Sequence, residues 1–171
     1  MKKQLAILAI ASAMTTSVFA ADGTINFTGE IIDAACDVTP TTANQTVNLG
    51  KVSDKSLGTV GNTAAATSFK IDLASCPAAV NTASVKFDGV PYNGDTSAIA
   101  LTPAANAATG VGIEIRDADG SVLPLYTASQ GVTLSQTGTN SLQFSAAYVA
   151  KDATVTAGPA DATATFSVVY N

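Results

Sequence analysis

Alternation with a period of two runs through this chain, and it restricts the fold more than any other feature. In "SFKIDLA", Phe69, Ile71 and Leu73 fall on one side, with Ser68, Lys70 and Asp72 on the other. "VGIEIRD" sets Val111, Ile113 and Ile115 against Gly112, Glu114 and Arg116, and "LQFSAAYVA" aligns Leu142, Phe144, Ala146 and Tyr148. Side chains of a β-strand point to opposite faces in turn, so this pattern marks strands with one buried face. Shorter candidates are "TVNLG" around Val47 and Leu49, "SVKFDG" with Val85 and Phe87, "AIAL" from Ala98 to Leu101, and "VTLS" from Val132 to Ser135. No stretch beyond the first twenty residues carries a trustworthy helical period.

Turn chemistry separates these runs. Asp88-Gly89, Asn93-Gly94 and Asp119-Gly120 are hairpin or loop signals. "TVGNTAAAT", "TPAANAATG" and "TAGPADA" are rich in small residues and are expected to be surface loops. Many short strands with turns between them predict an all-β sandwich in one domain, without internal repeats.

The first twenty residues have a different character. Lys2 and Lys3 precede an apolar stretch from Leu5 to Met14, and Val18 and Ala20 form a small-residue cleavage site. This is the layout of a secretory signal peptide, and the apolar stretch is well short of the ~20 residues a spanning helix needs. Removing residues 1–20 from 171 leaves 151, enough for one sizeable core, and moves the formal charge from −5 to −7 by loss of the two lysines. An acidic exported chain without a basic cluster is a poor partner for nucleic acid or an anionic membrane.

Two cysteines remain, Cys36 and Cys76. An even count in an exported chain favours a disulfide. A metal or redox pair would need companions, but the chain has no histidine and the thiols lack a C-x-x-C spacing.

Signals for catalysis are thin. Without histidine the commonest general base is missing, and no Ser-His or Cys-His arrangement can form. "RDADGS" starts like a calcium loop but lacks the later ligand positions and the closing glutamate, so it is expected to be a turn. Gly110 and Gly112 lack a third glycine and precede a strand pattern, which excludes a dinucleotide fingerprint. The N-x-T sequons at Asn26 and Asn44 are accidents of a threonine-rich sequence. With no tryptophan and four tyrosines, there is little surface for stacking sugars. No cofactor, metal or small-molecule substrate is expected.

The two ends of the mature chain carry the most information. Near its start, Gly23, Ile25, Phe27, Gly29 and Ile31 share one face, with Thr24, Asn26, Thr28 and Glu30 on the other. Gly29 forgoes packing on the apolar face, which implies close approach to a bulky neighbour. At the far end, Ala162, Ala164, Phe166, Val168 and Tyr170 face one way, opposite Thr163, Thr165 and Ser167. A bare terminal strand invites pairing with another chain unless a neighbour covers it.

These features together resemble the pilin subunits of chaperone–usher fimbriae, most closely the type 1 major pilins. "GTINFTGEIIDAAC" looks like that family's N-terminal extension leading to its first cysteine, "QTVNLGKV" follows, and "FKIDLASC" supplies the second. "GVGIEIRD" is similar to its mid-domain strand. "ADATATFSVVYN" ends on the penultimate Tyr170 and on Asn171, with Gly158 the fourteenth residue counted back from the end.

The resemblance implies an incomplete immunoglobulin-like β-sandwich lacking its final strand, with a hydrophobic groove beside the C-terminal strand. It divides the chain into a signal peptide (1–20), a donor-strand extension (21–32) and a pilin domain (33–171). Gly23, Ile25, Phe27, Gly29 and Ile31 would form the donor strand. Gly158, Phe166, Val168, Tyr170 and Asn171 would form the groove and the part recognised by chaperone and usher, and Cys36 and Cys76 the disulfide. A periplasmic chaperone would first lend a strand, which the next subunit's extension replaces at the outer-membrane usher, giving a head-to-tail polymer on the cell surface. The alternative is a minor tip or adaptor pilin, or an adhesin-like binding module. The extension is shorter before Gly23 than in many major pilins, as in tip adaptors.

Overall fold

An alternating segment becomes a strand only where a partner completes its backbone ladder, and most of these segments find one. The computed structural model describes residues 23–31 and 35–171, which form separate units. The expected signal peptide (1–20), the first two residues of the expected donor-strand extension (21–22) and residues 32–34, where that extension is expected to meet the pilin domain, lie outside the described residues.

In residues 35–171 the strands are β1 (Asp37–Val38), β2 (Thr63–Ala74), β3 (Thr82–Gly89), β4 (Pro91–Tyr92), β5 (Asp95–Ile99), β6 (Val111–Arg116), β7 (Val132–Thr133), β8 (Asn140–Ala150) and β9 (Ala164–Tyr170). They form a six-stranded sheet in the order β1-β2-β8-β6-β5-β4 and a three-stranded sheet in the order β7-β3-β9, all antiparallel. The sandwich is immunoglobulin-like.

The core lies between the sheets. Ile71 and Leu73 of β2, Val85 of β3 and Leu142 of β8 are completely buried. Each contributes roughly 1.5–3 kcal/mol by leaving water. Phe87 sets its edge against Phe144 at 5.1 Å between centroids and against Phe69 at 6.0 Å, so aromatic contacts from both sheets meet at one point. Cys36 and Cys76 are joined in a disulfide that ties the start of β1 to the loop after β2.

Several expectations are corrected. The stretch "TVGNTAAAT" is a loop only in its first half, because Thr63 onward pairs with β8. Its small residues accompany a bulge between Ala64 and Thr67, where Ala65 takes a positive φ of 57°. Asp88-Gly89 is no turn, since both residues pair with β9. The strand at Ala98 to Leu101 instead runs Asp95–Ile99, and the one at Val132 to Ser135 stops at Thr133. A single helical turn, Pro40–Ala43, went unforeseen because one turn has too few residues to show a period.

The segment around Val47 and Leu49 keeps its alternation, with Leu49 buried and Thr46, Asn48 and Gly50 exposed, yet it forms no ladder. It runs beside β2, held by side chains. The Gln45 amide donates to the Lys70 carbonyl (2.9 Å), and the Thr67 hydroxyl donates to the Asn48 carbonyl (3.4 Å).

Candidate functional site

β9 has one occupied edge and one open edge. Its ladder with β3 runs from Ala83↔Tyr170 to Gly89↔Ala164 without a break. Among the described residues no strand pairs with the other edge. Backbone N–H and C=O groups point alternately to the two sides of a strand. Seven residues therefore present about 23 Å of unpaired edge, at ~3.3 Å per residue.

That edge borders a groove of about 800 Å³. Its floor carries Phe69, Ile71, Phe87, Ile113, Ile115 and Tyr148, drawn from both sheets. One lip is residues 160–166, and the other is residues 42–50, the ladderless segment described above. Phe69 and Ile113 lie near the middle of the sandwich but are only half-buried. Along β9, Ala164, Phe166, Val168 and Tyr170 are likewise half-buried, while Thr165, Ser167 and Val169 are exposed. The inward face of the strand is therefore covered on one side only.

Two tyrosine hydroxyls bond to backbone here, one from β9 and one from the groove floor. The Tyr170 hydroxyl donates to the Cys36 carbonyl at 3.3 Å, and its pKa is raised by burial first and by nearby Asp37 to a lesser degree. Tyr148 donates to the Ala160 carbonyl (3.3 Å), and its pKa too is raised, by burial and then by Asp161. Both hydroxyls stay protonated and able to donate. A hollow of about 420 Å³ continues past Tyr148, bordered by Leu57, Val111, Val155 and Gly158.

The residues singled out in the sequence fall into distinct places. Phe166, Val168 and Tyr170 share the inward face of β9, and Phe166 lines the groove wall. Asn171 continues the ladder beyond β9: its carbonyl accepts from Thr82 N (2.9 Å) and its own N–H donates to the Thr82 carbonyl (3.1 Å). Gly158 is elsewhere, in the irregular segment leading to β9, packed so closely that a Cβ would fall on the backbone of residues 106–108. Gly23, Ile25, Phe27, Gly29 and Ile31 belong to the other unit. There Ile25, Phe27 and Ile31 are 78%, 91% and 100% exposed, and residues 23–31 have no regular secondary structure. The alternation in that segment is real, but without a ladder partner it is not a strand.

Sequence reasoning missed the floor residues and the 42–50 lip. Phe69, Ile71, Ile113, Ile115 and Tyr148 were legible as buried-face positions, but nothing in the alternation separates a covered position from an uncovered one.

"RDADGS" is a turn, with Gly120 at φ 83° and a bridge between Arg116 and Val122. Its carboxylates are engaged. Asp117 accepts from the backbone N–H groups of Ala118 and Gln130, and Asp119 accepts from the backbone and hydroxyl of Ser121. Among the described residues, no cluster of three or more Cys, Asp or Glu could hold a metal.

Comparison with known proteins agrees with this geometry. Residues 25–171 match the family model described as "Fimbrial protein". The chain is 38% identical to long polar fimbria protein A of Salmonella typhimurium, over 99% of this chain and 97% of that one. It is 41% identical to the type-1 fimbrial protein, C chain, of Escherichia coli, over 97% of this chain and 91% of the other. Among solved structures, the P pilus rod subunit superposes with a TM-score of 0.67 over 80% of this chain and 99% of that one, at 23% identity, a likeness of fold.

Proposed function

The chain belongs to the fimbrial protein family, as a structural subunit of surface fimbriae exported by the chaperone–usher route, and we propose that it enters the polymer through the open edge of β9. The observation that carries this reading is the unpaired edge of β9 standing over an apolar groove. An extended segment with alternating apolar side chains is the chemistry that such a groove accepts. It adds backbone hydrogen bonds along the strand and places every second side chain inward. Strand addition of this kind, donor-strand complementation included, is a general mode of peptide recognition.

Residues 21–32 have the required character. Ile25, Phe27 and Ile31 alternate with polar residues and are exposed in the isolated chain. Fully extended, twelve residues reach about 40 Å at ~3.3 Å each, longer than the free edge of β9. Each large apolar side chain, once buried, would contribute about 1.5–3 kcal/mol. The extension of one subunit fills the groove of the next, which gives a heterologous contact that propagates head to tail without closing. In this reading residues 1–20 direct export, 21–32 are the donor extension and 33–171 are the recipient domain. A periplasmic chaperone covers the groove of Phe166, Val168 and Tyr170 until the outer-membrane usher hands it to the next subunit.

The test is electrophoretic. Fimbriae assembled from this subunit, with its chaperone and usher and without reductant, are compared in SDS before and after boiling. A ladder that collapses to one band on boiling indicates a non-covalent polymer whose joints open only when the recipient unfolds. A monomer band in both lanes would refute the proposal.

A further inference from the structure

The hairpin formed by β4 and β5 is attached to the rest of its sheet by very little backbone. Its register with β6 comprises one pair, Ile99↔Ile113, and the Thr96 carbonyl accepts one backbone hydrogen bond from Leu125 N–H (2.8 Å). The tip, Asn93-Gly94, has both residues at positive φ, 47° and 86°, and makes a tight two-residue turn between Tyr92 and Asp95.

Side chains hold what the backbone does not. Lys151, just past the end of β8, places its Nζ 2.6 Å from Asp95 Oδ2 and 2.8 Å from Ser97 Oγ. The neighbouring Asp152 accepts a hydrogen bond from the Tyr92 hydroxyl at 2.8 Å. Two consecutive residues of one segment thus grip the hairpin at three points. The Lys151 side chain is only 16% exposed, while Asp95 is half exposed, so the pair is shielded on the lysine side and open to water on the carboxylate side. The hydrogen bond from Lys151 is the foremost reason that the Asp95 carboxyl is lowered to about 2.

The hairpin leads directly into the groove. Ala98 and Ile99 follow Ser97 and are buried, and Ile99 lies in the groove floor. The position of a Cβ on Gly89, where β3 pairs with the first residue of β9, is 3.6 Å from Ile99 Cγ2. Thr102 N, three residues beyond Ile99, donates to the Asp161 carbonyl in the lip (2.7 Å).

We propose that the β4–β5 hairpin is a latched flap: Lys151 and Asp152 hold it against the sheet, and the latch keeps Ile99 and the Ala164 end of the groove in the geometry that receives a strand. This rests on the groove being a strand-binding site. A floor fixed in advance lowers the ordering cost of capturing a strand, which is what preorganisation contributes to binding.

Hydrogen exchange of the exported subunit tests it, together with capture of a synthetic peptide, ADGTINFTGEII, that spans residues 21–32. Lys151→Met keeps the aliphatic stem and removes the charge. It should speed exchange of the amides of residues 95–98 about ten-fold and also raise exchange at Ala164 to Phe166, while most of β2 and β8 is unchanged. Retention of the peptide should fall several-fold. Asp95→Asn provides the same comparison should the first variant fold poorly. Unchanged exchange in the hairpin would overturn the latch. Faster exchange there without any change at Ala164 to Phe166 would overturn its coupling to the groove. Failure of the unsubstituted subunit to hold the peptide would instead refute the groove reading, and exchange at the two sites would still decide whether the flap is latched and linked to β9.

Discussion

The hydroxyl of Tyr170, the penultimate residue, donates to the backbone carbonyl of Cys36 across 3.3 Å, joining the end of β9 to the disulfide at the start of β1. The two residues are 134 apart in sequence; Tyr170 ends β9 of the three-stranded sheet, and Cys36 immediately precedes β1 of the six-stranded one. The donor ring is itself half-buried, packed against the core.

Tyr170→Phe keeps the ring packed on the core and removes the donor. Leaving the Cys36 carbonyl without it should lower stability by about 1 kcal/mol. Urea denaturation of the two proteins measures this. A midpoint unchanged within error would show that water replaces the bond without loss.

Gly158→Ala should be destabilising although the residue is outside any strand. The added Cβ meets the backbone of residues 106–108, which has no flexible side-chain end to move away. Overpacking of this kind costs about 1–3 kcal/mol. The loss should appear in thermal melts of the purified subunit, with β9 and the disulfide intact.

Gly29→Leu places a large side chain on the apolar face shared by Ile25, Phe27 and Ile31. Under the proposed function it should prevent strand exchange, because the recipient groove has to accommodate the added bulk. Export and chaperone binding should persist, since in this reading they use residues 1–20 and the recipient domain, neither of which contains Gly29. The unboiled SDS ladder should disappear while monomer remains in the periplasm, and a normal ladder would contradict the assignment of this segment.

Asp95→Asn tests the ion pair with Lys151 through pH. The carboxyl is lowered to about 2, chiefly by the hydrogen bond from Lys151 and then by the backbone and hydroxyl of Ser97. A depressed carboxylate contributes stability that is fully present above its ordinary value of 3.8 and is lost as pH falls through about 2. The variant should therefore melt below the wild type at pH 7 and pH 5, with the gap closing between pH 3.8 and 2. Asp95 is half exposed, so the gap should be small and should narrow further in high salt.

Much of the sandwich was legible because alternation is a local property. Phe69, Ile71 and Leu73 face inward on β2, and Leu142, Phe144, Ala146 and Tyr148 share a face on β8, as their spacing requires. The errors came where pairing overrode local composition. Thr63 to Thr67 look like loop residues but are recruited by β8, at the cost of a bulge and a left-handed Ala65. Thr46 to Gly50 look like a strand but form no ladder with any described strand, being held to β2 through side chains instead.

The amino-acid order by itself determined the sheet class, the inward faces, the pairing of Cys36 with Cys76 and the apolar alternation at both ends of the mature chain. Each follows from periodicity, composition or count, which are written along the chain. Tertiary structure decided that β9 has one partner, that Phe69 and Ile113 remain half covered, and that residues 42–50 form the facing lip. It also decided that Gly158 packs against a loop fifty residues away. The physical reason is the same in each case. A strand's sequence specifies which side chains are apolar, but its hydrogen-bonding edges are backbone, identical for every residue, and only the arrangement of neighbours settles which edge is left open.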